Sequence, residues 1–128
     1  MMKPLNRAGT WWVMLFCWAA LLFYFSAQPG SGHPQRIPHF DKVLHFKYFF
    51  IGGLALQQAL RLSRPSLLPS SYIWIGAILA ALVGLSDEYH QTFTPGRSGN
   101  DPWDLLADVL GGTTAGYLFP KLFRAKAR

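Results

Sequence analysis

Two stretches of this 128-residue chain carry no charged side chain, Ala8 to Ala27 and Ser66 to Ser86, and they restrict its fold more than any other feature. A helix that crosses about 30 Å of hydrocarbon needs roughly 20 consecutive apolar residues. Both stretches meet that length. Only 14% of the chain is charged, against about a quarter of an ordinary soluble domain. The sequence therefore predicts an all-α membrane protein.

The first apolar block, WWVMLFCWAALLFYFSA, predicts a span over residues 10–27, ended by the turn-rich Gln28-Pro29-Gly30-Ser31-Gly32. A cleaved leader is the alternative for a block that follows Lys3 and Arg7. Its apolar core is too long for that, and bulky Phe25 precedes Ser26-Ala27 where a cleavage site takes a small residue. A second span is predicted over 43–60, polar at its start and closed by Arg61, Arg64 and Pro65. The third, 72–91, is apolar until Ser86-Asp87-Glu88, and the fourth, 104–123, carries Asp108 one turn in. In that last span Gly112 and Gly116, four apart, permit a close helix neighbour. Residues 1–128 thus read as one domain, a four-transmembrane-helix bundle without internal repeats. The single cysteine, Cys17, has no partner for an intrachain disulfide.

An even number of spans puts both termini on one side, so the basic residues of the two sides can be compared. Lys3, Arg7, Arg61, Arg64, Lys121, Arg124, Lys126 and Arg128 fall on one side, and Arg36, Lys42, Lys47 and Arg97 on the other. The excess of Lys and Arg places the termini in the cytoplasm. The net charge of +6 is spread over membrane-flanking segments rather than one soluble face, so no nucleic-acid partner is expected. Membrane lipid is the expected surrounding.

With that topology all six carboxylates, Asp41, Asp87, Glu88, Asp101, Asp104 and Asp108, lie at the outer ends of the spans or in the outer loop. Helical spacing aligns Asp41, His45, Tyr48 and Gly52 on one stripe, Asp87, His90 and Gln91 on a second, and Asp104, Asp108 and Gly111 on a third. Each residue also has a plain structural reading. Asp41 and Asp104 sit where helix N-caps belong, His45 can simply bond across the bundle, Arg97 can anchor at the interface, and the glycines can serve packing alone. Taken together, ionisable groups at one end of a membrane bundle point to a functional vestibule. No cofactor is predicted; a divalent metal held by Asp41 and His45 or by Asp87, Glu88 and His90 stays open, since carboxylates and imidazole suit such ions. The helix-borne HExxH pattern is absent.

The order of motifs resembles the VanZ-like family of small membrane proteins: Ser26-x-x-Pro29, Asp41-Lys42-x-x-His45-x-x-Tyr48, Ser86-Asp87-Glu88-x-His90-Gln91, Pro95-Gly96-Arg97, then Asp104 and the glycines of the last span. Asp108 departs from the resemblance, which leads one to expect an amide there. The resemblance implies a few transmembrane helices, a place in the bacterial cytoplasmic membrane, and a link to the cell envelope of the teicoplanin-resistance type. The expected function is an outward-facing vestibule for an anionic or lipid-linked envelope component. Arg97 would hold the anion, with Ser26, Asp41, Lys42, His45, Tyr48, Ser86, Asp87, Glu88, His90, Gln91, Asp104 and Asp108 around it. The rival expectation is a membrane hydrolase or transferase acting on a lipid-linked substrate, with His45 or His90 as proton carrier.

The orientation has a direct test. In a Cys17→Ala background, a cysteine at Ser98 labels with an impermeant thiol reagent from outside the cell and one at Ser66 does not; the reverse pattern contradicts the charge argument.

Overall fold

A computed structural model describes residues 4–30 and 37–124. Ser31 and Gly32 of the predicted turn, and Lys3, Arg36, Lys126 and Arg128 of the charge count, lie outside the described residues. After a 3-10 turn at Pro4–Asn6 come four helices: α1 Ala8–Ser26, α2 Phe40–Ser63, α3 Pro69–Gln91 and α4 Pro102–Arg124. No strand occurs among the described residues. The helices follow the apolar blocks, but α2 runs about a turn beyond the predicted 43–60 at each end. Its first turn is the polar Asp41-Lys42 segment, and its last contains Arg61. Proline opens both α3 and α4, where its missing N–H and fixed φ suit a first helical position.

Helix α4 lies against both α2 and α3, while α1 packs mainly on α2. Small residues make this possible. A Cβ built on Gly112 would stand 2.6 Å from the Gly76 carbonyl oxygen and 2.6 Å from the Ala80 Cβ, and one on Gly111 would stand 2.9 Å from the Phe50 nitrogen. On α3 the inward stripe reads Tyr72, Gly76, Ala80, Gly84, then Asp87, Glu88 and Gln91. A seam of small residues passes into a seam of acids on the same face.

Burial is inverted relative to a soluble bundle. Gln57, Asp87 and Asp108 are fully buried, whereas Phe16 is 74% exposed, Trp74 68% and Ile51 62%. Exposed apolar side chains continue round α2 and α4 through Leu44, Leu106, Leu110 and Tyr117. A monomeric soluble protein rarely carries contiguous apolar surface on this scale. Of the four helices, α1 and α3 are long and apolar enough to cross a membrane by themselves.

The glycine seam predicts that Gly112→Ala, which forces a methyl into the α3 backbone, destabilises the protein by about 1–3 kcal/mol through overpacking. Gly9→Ala, a site with nothing within 4 Å, is the control. Unfolding in detergent measures both, and equal effects contradict the packing role.

Candidate functional site

The polar end of the bundle is organised by three groups of contacts. In the first, Lys42 Nζ lies 2.8 Å from Asp41 Oδ2, 2.6 Å from Asp101 Oδ2 and 2.7 Å from Asp104 Oδ1. One ammonium thus joins α2, the α3–α4 loop and α4. Asp101, which sequence reasoning left out of the site, is central here. Its Oδ1 also accepts the Trp103 N–H at 2.9 Å, and its carbonyl accepts the Leu105 N–H, so Asp101 is the N-cap of α4. This corrects the capping expectation for Asp104, which sits a turn later and faces Lys42 and His45. Asp41 is likewise inside the first turn of α2, the cap position being His39. The dipeptide Asp101-Pro102, a cap residue followed by N1 proline, was the available signal. The Asp101 carboxyl is held below the usual aspartate pKa, chiefly by its hydrogen bond to the Lys42 ammonium.

In the second group, His45 Nδ1 lies 2.9 Å from Asp108 Oδ1, and its Nε2 lies 3.8 Å from Asp104 Oδ2. The first contact orients the imidazole; the second is too long for a hydrogen bond. Asp108 is 1% exposed, and Gly84 makes room for it: a Cβ at position 84 would stand 2.7 Å from Asp108 Oδ2. Glu88, also buried, accepts the Asp101 N–H at 2.6 Å on Oε2 and ties α3 to the same loop. Glu88 Oε1 and Asp108 Oδ2 have no hydrogen-bond partner among the described residues.

The third group joins α1 to α3. Ser26 Oγ bonds both the Leu22 carbonyl, at 2.8 Å, and Asp87 Oδ1, while Gln91 Nε2 donates to Asp87 Oδ2 at 2.9 Å. Both oxygens of this buried carboxylate are therefore engaged. Nearby, Tyr48 donates to the Trp18 carbonyl at 2.7 Å and the Trp18 indole donates back to the Tyr48 carbonyl at 3.1 Å, locking α1 to α2. The loop closes over the end of α1: Gly30 N–H donates to the Pro95 carbonyl, Arg97 Nε to Gln28 O at 3.1 Å and Arg97 Nη2 to Phe25 O at 3.2 Å. Arg97 thus satisfies carbonyls that a helix C-terminus leaves open. Gly96 has φ +74°, and a side chain on Gly30 would strike its carbonyl, so this crossing needs glycine on both strands of the loop contact.

Two predicted residues stand apart. Ser86 is exposed and bonds back to the Leu82 carbonyl of its own helix. The His90 ring packs beside Phe23, with centroids 5.5 Å apart, and its Nδ1 has no partner among the described residues. As for a metal, oxygens of Asp41, Asp101 and Asp104 lie within 4.8 Å of one another, but the Lys42 ammonium occupies the position a cation would take among them. Of the residues named for a metal, His45 lies against Asp108 and Asp104, and Asp41 against Lys42.

The low Asp101 pKa has a defined consequence for stability. A group whose folded-state pKa is depressed stabilises the fold in full above its unfolded pKa, and that contribution disappears as pH falls through the folded value. Asp101→Asn therefore melts below the parent protein at about pH 6, and the gap narrows as pH falls below about 4. A gap independent of pH contradicts the assignment.

Comparison with known proteins adds one positive finding. The VanZ/LLP1 family model matches residues 11–124, which takes in most of α1, the other three helices and the three contact groups. No match was found among curated proteins or among solved structures. With the family model covering most of its length, the chain belongs to the VanZ/LLP1 family.

Proposed function

We propose that this chain is a four-span VanZ-type protein of the bacterial cytoplasmic membrane, with cytoplasmic termini and an outward polar end that engages an anionic or lipid-linked envelope component. The reading rests on one observation: Asp87 and Asp108, each 1% exposed, are gathered with Ser26, Lys42, His45, Gln91 and Asp104 at one end of a bundle whose exterior is apolar. Buried ionisable groups in such a setting carry a large solvation cost and mark functional sites more often than structural ones. Helices of 23 and 24 residues rise about 35 Å, which supports spans for α2 and α4 as well. Family membership supports an effect on glycopeptide susceptibility, teicoplanin included. Within this reading the anion meets Arg97, which is exposed and keeps unused N–H donors, and not the carboxylates.

A second reading, a membrane hydrolase or transferase acting on a lipid-linked substrate, is favoured by the His45–Asp108 contact, because a carboxylate that orients an imidazole prepares it for proton transfer.

The expected outcome is that a strain lacking the gene regains its envelope or teicoplanin phenotype with the wild-type chain but not with Asp87→Asn or Arg97→Ala at equal membrane abundance. Full complementation by both variants contradicts the proposal. Turnover of a polyprenyl phosphate or lipid-linked precursor by the purified protein, lost in His45→Ala, moves the function to the enzyme reading.

A further inference from the structure

The carboxylates of the polar end face the interfaces of α2, α3 and α4, apart from Asp87, which meets Ser26 between α1 and α3, whereas the face between α1 and α2 has a different character. There a groove of about 160 Å3 is lined by Leu22, Phe25, Leu44, His45, Tyr48 and Phe49. Phe25 and Leu44, which line it, are themselves exposed. A helix with its side chains is about 10 Å across, far wider than a cavity of this volume accepts. A hydrocarbon chain fits.

The charges around the groove select the kind of lipid. Arg97 is fixed at its outer end through the Phe25 carbonyl, and Phe25 itself lines the groove. Lys47 is exposed on α2, three residues after Leu44 and so on the same side of the helix; its long stem can carry the ammonium towards the aqueous interface. The acids nearest by are engaged elsewhere: Asp41 and Asp104 face Lys42, Asp108 holds His45, and Asp87 holds Ser26 and Gln91. The rim is therefore basic beside an apolar slot.

We propose that the α1–α2 groove seats one hydrocarbon chain of a phosphate-bearing membrane lipid, with the phosphate between Lys47 and Arg97. The lipid enters laterally from the bilayer, and His45 stands at the wall of its seat. This rests on the membrane-spanning, envelope-facing reading above and names the class of ligand and its route.

The test is retention of lipid by the purified full-length chain in native mass spectrometry, with phosphatidylglycerol or phosphatidylcholine added in detergent. Wild type retains phosphatidylglycerol in preference to phosphatidylcholine. Leu44→Trp, which fills the groove, loses that retention, while Ile78→Trp, an exposed apolar site on α3, keeps it. Lys47→Gln, which leaves the α1 clasp intact, weakens phosphatidylglycerol retention by about fivefold, the scale of one basic residue near a lipid phosphate. Equal retention in wild type and Leu44→Trp, or no preference for the anionic lipid, overturns the proposal. Failure of Asp87→Asn to complement while Leu44→Trp retains lipid normally overturns the groove and leaves the envelope reading in place.

Discussion

A charge taken out of water must find its partner inside the protein, and in this bundle the Lys42 ammonium is the partner on which the polar end depends. It draws together carboxylates from α2, from the α3–α4 loop and from α4. Closing α4 onto α2 in this way brings Asp108 to His45, and capping by Asp101 holds the loop whose amide bonds Glu88. The members of this set are half-buried, so removing one leaves partly desolvated charge without its partner, which is why its parts act together. Three elements are set by one cation.

The glycine seam supports the same geometry from below. Gly76 and Gly112 let the backbones of α3 and α4 meet, and only at that separation does Gly84 accept the Asp108 carboxylate on the facing helix. Packing and electrostatics are thus two halves of one arrangement: the apolar half fixes the distance between helices, and the polar half fixes their register. At the far edge, the loop carrying Pro95-Gly96-Arg97 fastens the end of α1, so Ser26 is held where Asp87 can bond it. Arg97 serves the fold through Nε and Nη2 even where a ligand role is assigned to its remaining donors.

Much of this was legible in residue order. The two uncharged blocks set the helices, and the 3–4 spacing of Asp104 with Asp108, and of Asp87 with Gln91, picked out side chains that do face inward. His90 and Ser86 share the same motif but not the same environment, because a helix turns 100° per residue and neighbours in sequence look in different directions. Asp101 was overlooked since it lies in a loop, where periodicity has no meaning; the proline after it was the local clue. Gly84 carried no signal of its own, as its importance is the space it leaves for a side chain of another helix.

By itself the sequence determined the class of the protein: apolar blocks of about 20 residues make long helices, and the position of the acids relative to those blocks places polarity at one end. Only the tertiary structure decided which acid meets which base. That Lys42 occupies the centre of three carboxylates, that His45 turns to Asp108, and that Arg97 closes over α1 all follow from the rotation and separation of packed helices. Those quantities depend on contacts between residues far apart in the chain, which no local spacing encodes.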